Sequence, residues 1–210
     1  MSYQEEDYTM ISVQPKGGEK MSVETGMDVL LLLLYAKGEK NEVGESVRGI
    51  TRLEKLVYLL DQEGGFHKYI SDYQFEPYDF GPFSSELWDD IETLKDEGLV
   101  ETQKISSRYF VEVSDGEKAL EEENEFTENV VESSKEKEME IYSLSEIGKR
   151  VAEQLFDELT PEEQSVLENI KKEFNSISLF ELIRYVYLKY PKSTTYSRIR
   201  EKILGETAGG

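Results

Sequence analysis

The sequence predicts an α+β fold that is mostly helical, and three observations carry that expectation. Several segments set apolar residues at helical spacing behind a capping residue. A candidate helix opening at Ser84 or Ser85 meets Gly98 and passes straight into the apolar pair Leu99-Val100. Two further segments, Tyr109 to Val113 and Ile141 to Leu144, alternate as half-buried strands do. Helix, glycine stop and two strands in that order are what a winged helix shows after its recognition helix. The expectation is therefore a winged-helix-like core with a C-terminal helical hairpin.

Taken in order, residues 1–22 are polar and broken by Pro15, Gly17 and Gly18, which predicts a flexible N-terminal arm. The core domain is expected over 23–158. From Met27 to Ala36 apolar residues run all round a helical wheel, the mark of a buried helix, closed by Lys37 and Gly38. Thr51 and Glu54 have capping-box spacing ahead of Leu53, Leu56, Val57 and Leu60, an amphipathic helix ending before Gly64-Gly65. Phe66 to Phe83 reads as a long loop dense in aromatics, and so long a loop in a domain is functional or packed.

The helix after Ser84 puts Leu87, Ile91 and Leu94 on one face, with Gly98 as a left-handed stop. The strands at Tyr109, Val111, Val113 and at Ile141–Leu144 are expected to form a wing. Between them lies an acidic insertion at about 116–140; Glu121 to Glu140 holds nine Glu and two Lys, a local charge of −7. Ser145 can cap a helix with Ile147, Val151 and Leu155 on one side. A C-terminal helical subdomain is expected over 159–206. Its first helix starts at Thr160, Pro161 and Glu163 and is lined by Val166, Leu167, Ile170 and Phe174. Its second opens with the Ser178–Glu181 capping box, carries Leu182, Ile183 and Val186, and is ended by Pro191.

Composition narrows the function. Across 210 residues, 24 Lys+Arg against 45 Asp+Glu give a net charge of −21, so the field of the whole chain repels phosphate backbones and anionic membranes. Cysteine is absent, which removes disulfides, thiolate zinc sites and cysteine nucleophiles and fits a reducing compartment. The one histidine, His67, has no second His for a metal site, and Asp89-Asp90 and Glu121-Glu122-Glu123 lack calcium-loop spacing. No glycine-rich phosphate loop occurs. The expectation is a protein that is not an enzyme, with no catalytic residues, no metal and no cofactor.

The seven apolar residues Val29–Tyr35 fall short of the roughly twenty that span a bilayer, and the acidic N-terminus lacks the order of a signal peptide. The expected location is cytoplasmic.

Nucleic acid fits poorly. The candidate recognition helix and its flank, Ser84 to Glu101, carry seven acids against Lys95, a local charge of −6 where a DNA reader needs Lys and Arg. The concentrated positive patch is C-terminal: Arg184, Lys189, Lys192, Arg198, Arg200 and Lys202. It can serve a nucleic acid or an intramolecular dock for the acidic insertion.

The most distinctive feature is aromatic. Phe75, Tyr78, Phe80, Phe83 and nearby Trp88 surround a turn restricted by Pro77 and Pro82. Such rings build protein-binding hot spots and also fill small cores. Tyr78, Asp79, Phe80, Pro82, Phe83 and Trp88 are the candidate partner-binding residues.

The motif formed by Leu53, Lys55, Leu56 and Tyr58, followed by the turn Gly81-Pro82 into the next helix, resembles the Panacea (SocA-like) antitoxin-domain superfamily, and most of all its YwgA-like branch. The resemblance covers about residues 27–100. It implies a mostly helical, non-enzymatic domain whose relatives neutralise toxins by direct binding or deliver a toxin to a protease as adaptors. The long acidic insertion and the C-terminal helices depart from that pattern. The expected function is a protein-binding module, antitoxin-like or adaptor-like, with a toxin or other client as partner and a homodimer left open. The alternative is a winged-helix transcription regulator that contacts DNA through the basic C-terminal helices.

Overall fold

The computed structural model describes residues 21–106, 138–197 and 199–205, and the fold is mixed α+β, dominated by helices. Helix α1 (Gly26–Tyr35) opens with a capping box: the Thr25 hydroxyl accepts from the Asp28 N–H, and the Asp28 carboxylate accepts from the Thr25 N–H. Val29 through Leu34 are all buried, because helices and a strand surround α1 on every side. Its uniform apolarity is the consequence expected of a central helix.

Helix α2 (Ile50–Gln62) begins differently from the sequence expectation. Its N-cap is Gly49 at φ 80°, with no side-chain cap, and no Thr51–Glu54 capping box forms. The Gly49 N–H is instead taken by the Glu140 carbonyl, which fixes how the chain enters α2 and turns Glu54 into the interior. A short helix α3 (His67–Ile70) follows. The segment read as a long loop also contains a hairpin, β1 (Glu76–Tyr78) and β2 (Gly81–Phe83), paired Glu76 to Phe83 and Tyr78 to Gly81 around Asp79-Phe80.

Helix α4 (Ser85–Asp96) is capped by Ser84, whose hydroxyl accepts from the Leu87 N–H, and buries Leu87, Ile91 and Leu94. Gly98 at φ 69° ends it, a left-handed position that favours glycine. Strand β3 (Val100–Ser106) pairs antiparallel with β4 (Glu138–Leu144), Val100 opposite Leu144, and a two-residue strand, Val47–Arg48, adds to the other edge of β4. The paired strands are thus 100–106 and 138–144. Tyr109, Val111 and Val113 lie outside the described residues, as does the acidic segment up to 137; its last three residues, 138–140, belong to β4.

Helix α5 (Glu146–Glu158) is capped by Ser145 as expected, but its buried face is Gly148, Ala152 and Leu155, with Val151 half-buried and Ile147 exposed. The reason is a close approach. A Cβ on Gly148 would sit 2.0 Å from the Leu99 carbonyl oxygen, so the helix presents its hydrogen-only position to the backbone just ahead of β3. Helix α6 (Pro161–Ser176) carries the Thr160–Glu163 capping box and α7 (Leu179–Lys189) the Ser178–Glu181 box, both with reciprocal bonds. A 3-10 turn (Pro191–Thr194) and α8 (Arg200–Gly205) complete the described residues. Both α6 and α7 pack on α2 and touch each other through Phe174 and Tyr185, ring centroids 4.7 Å apart.

Residues from α1 through α8, Val29 to Ile203, form one hydrophobic cluster. Two buried basic side chains tie its helices end to side. Arg52 Nη1 donates to the Phe174 and Ile177 carbonyls, both at 2.8 Å, at the C-terminus of α6. Lys171 Nζ donates to the Leu34 and Ala36 carbonyls at 2.9 and 2.7 Å, at the C-terminus of α1. Each satisfies carbonyls that a helix end leaves without an intrahelical donor. Among the described residues no helix is long and apolar enough to cross a membrane.

Candidate protein-interaction surface

The two halves of the sequence motif meet in the interior. Leu53 and Leu56 are buried in the core, and Tyr58 lies edge-on to Phe75 and Tyr190 at 5.2 and 5.3 Å between centroids. Lys55, 1% exposed, donates from Nζ to Glu54 Oε2 at 2.7 Å and to the Pro82 carbonyl at 2.6 Å. The other oxygen of Glu54 accepts from the Ser84 N–H at 3.1 Å and from Trp88 Nε1 at 3.2 Å. One buried ion pair therefore holds α2, the Gly81-Pro82 turn and the start of α4 together. Burial pushes the Lys55 ammonium below its ordinary value, and Glu54 opposes that shift.

Gly81, at φ 97°, sits where a Cβ would lie 3.0 Å from the Tyr187 ring. The tip of the hairpin is tied as well: the Ser197 hydroxyl donates to the Asp79 carbonyl at 2.7 Å and lies 2.5 Å from the Tyr187 hydroxyl. Because the Ser197 proton points at Asp79, Tyr187 is the donor to Ser197.

On this support the candidate partner-binding residues divide. Pro82 is buried, Phe80 is half-buried against the core, and Asp79 is half-buried with its carbonyl engaged. Tyr78 is 56% exposed and Trp88 41% exposed, with half-buried Phe83 between them. Tyr78 to Phe83 is 5.0 Å and Phe83 to Trp88 is 5.9 Å between ring centroids, so three rings form a continuous row from hairpin to helix. Phe80 packs on the core, whereas Tyr78 and Trp88 are exposed to solvent with Phe83 half-buried between them.

Carboxylates border the row. Glu76 shares the hairpin face of Tyr78 and stands opposite Phe83, and Glu92 lies one turn along α4 from Trp88. Further along, Tyr73 donates to Asp90 at 2.7 Å. Burial raises the Asp90 carboxyl above its ordinary value; the Tyr73 bond opposes this, while Asp89, Asp72 and Glu86 add to it.

The six basic residues are not gathered into one free patch. Lys189 pairs with Glu63 at 2.7 Å and lies over the Tyr185 ring, and Arg200 Nη1 donates to the Pro191 carbonyl and to Thr194 Oγ1. Arg184 is half-buried and Lys192 exposed; Arg198 and the Lys202 side chain lie outside the described residues. His67 is exposed, with Nδ1 2.7 Å from Asp61 Oδ1.

Sequence reasoning missed Arg52, Glu54 and Lys171 as buried groups. The adjacent opposite charges Glu54-Lys55 inside a leucine-rich helix were a signal for one of these sites, whereas Lys171 looks like any surface lysine of α6.

The family described as Antitoxin SocA-like, Panacea domain, has a model that matches residues 53–191, from the Leu53 motif through α7 to Pro191. No curated protein and no solved structure matches the chain.

Proposed function

Because the chain belongs to the SocA-like Panacea antitoxin-domain family, we propose that it is a non-enzymatic, cytoplasmic protein-binding module, antitoxin-like or adaptor-like, that contacts a toxin or other client protein through Tyr78, Phe83 and Trp88. The observation that carries this reading is the exposed ring row on a buried, hydrogen-bonded base. Rings held by buried bonds lose little conformational freedom on docking, and aromatic residues give contact area at low rotamer cost. The work assigned to the residues is contact and orientation.

The test pairs stability with binding. Tyr78→Ala keeps nearly wild-type melting, since most of its ring is already in water, and loses about 2 kcal/mol or more of binding to the partner that co-purifies from the native host. Phe80→Ala, whose ring packs on the core, lowers stability by about 2–4 kcal/mol instead. Folded Tyr78→Ala and Phe83→Ala proteins that both retain the partner at wild-type level refute the surface.

A further inference from the structure

The row of rings carries information about what it binds. From Asp72 to Glu101 the chain has ten carboxylates and a single cation, Lys95, which is already bonded to Glu92 at 2.8 and 3.0 Å. Glu76 and Asp89 are exposed, and no ion pair to either occurs among the described residues. Trp88 spends its N–H inward on Glu54, so the indole offers its face to an incoming group and holds a fixed orientation. What remains outward consists of aromatic faces, a phenol and carboxylate oxygens: electron-rich surfaces and acceptors.

We infer that the occupant of this surface is an arginine-bearing segment of the partner protein, its guanidinium planes stacked on the Tyr78–Phe83–Trp88 row and forked to Glu76. The inference rests on the interaction surface proposed above and adds its chemistry. A planar guanidinium stacks on rings and offers paired N–H donors to a carboxylate at the same time; a lysine ammonium is a hydrated point charge that satisfies the carboxylates without using the plane of the rings. An acidic or phosphate-bearing ligand meets repulsion from the ten carboxylates. An uncharged apolar segment leaves the exposed carboxylates beside it poorly solvated.

Trp88 is the only tryptophan, so its emission reports occupancy directly on the full chain. The probes are blocked peptides of one alanine-rich helical scaffold bearing arginine, lysine or glutamate at the same positions, titrated at about 150 mM salt to screen distant charges. The arginine peptide shifts Trp88 emission saturably and binds about fivefold or more tighter than the lysine peptide, and the glutamate peptide leaves the emission unchanged. Tyr78→Ala, and separately Glu76→Gln, each weaken the arginine peptide about fivefold or more. The equally neutralising Glu162→Gln on α6 changes it less than twofold.

Equal binding of the arginine and lysine peptides, or an equal effect of the α6 variant, shows non-specific attraction to an acidic protein and overturns the inference. So does tighter binding of the glutamate peptide. If Tyr78→Ala releases the native partner while no peptide separates the variants, the surface stands and the guanidinium chemistry is wrong. If the partner is retained as well, the surface itself has failed.

Discussion

Replacing Lys55 with methionine tests whether the buried ion pair holds the hairpin and the exposed ring row in place. The side chain is 1% exposed and makes two bonds, to Glu54 Oε2 at 2.7 Å and to the Pro82 carbonyl at 2.6 Å. Methionine refills the stem volume with a flexible apolar chain, so the loss is electrostatic rather than a cavity. It leaves the Glu54 carboxylate buried without its counter-ion and the Pro82 carbonyl without its donor. Removing one member of a buried pair costs about 3–5 kcal/mol. For a chain of this size that is a fall in Tm of about 6–20 °C.

The assay is urea and thermal denaturation followed at Trp88, whose N–H rests on the same Glu54. A second variant isolates the pair. Glu54→Gln combined with Lys55→Met removes both charges, yet the Gln carbonyl oxygen still accepts from Ser84 or Trp88. The double variant is therefore more stable than the sum of the single effects requires, by about 1 kcal/mol or more. A Lys55→Met protein within about 1 kcal/mol of wild type, with unchanged Trp88 emission, refutes the account of how the hairpin is held.

Lys171 gives a pH prediction. Burial is the dominant cause that lowers its ammonium to about 7, with Glu45 opposing, and a neutral amine keeps two N–H donors for its two carbonyl partners. Between pH 7 and its ordinary 10.5 the unfolded chain binds the proton that the folded chain has lost, so this group makes stability rise with pH; below 7 the cost of burying the charge is at its full value. Wild type gains about 2 kcal/mol from pH 7 to 9 relative to Lys171→Met in parallel denaturation, and identical slopes refute the shift. Gly148→Ala forces α5 away from the Leu99 carbonyl, which its Cβ would approach to 2.0 Å, and costs about 3 kcal/mol or more by urea titration; a near-neutral change contradicts the packing. Thr160→Ala and Ser178→Ala each remove a cap bond and cost about 1 kcal/mol, read by the same titration, with no loss as the contrary result.

What the sequence by itself determined is the set of features whose partners lie within a turn of the chain. Ser84, Ser145, Thr160 and Ser178 cap the helices that their spacing announces, because the cap bond reaches only three residues on. Gly98 takes its left-handed conformation for an equally local reason. The Leu53, Lys55, Leu56, Tyr58 motif with Gly81-Pro82 was readable as a family signature, although not as a contact.

The tertiary structure decided everything that depends on groups far apart in the chain. Glu54 has capping-box spacing from Thr51, but its oxygens go to Lys55, Ser84 and Trp88, and a buried carboxylate with three donors outweighs a solvated cap. Ile147 obeyed the helical period but lost the inward face to Gly148, since only hydrogen fits against Leu99. Lys171 sits in the core because the end of α1 there needs donors, a demand made by residues more than a hundred positions away. The division of the aromatics into Phe80 inward and Tyr78, Phe83 and Trp88 outward was settled by the hairpin register and the Lys55 bond to Pro82. Propensity and periodicity say that such rings seek burial; which of them find it depends on how much interior the rest of the fold leaves.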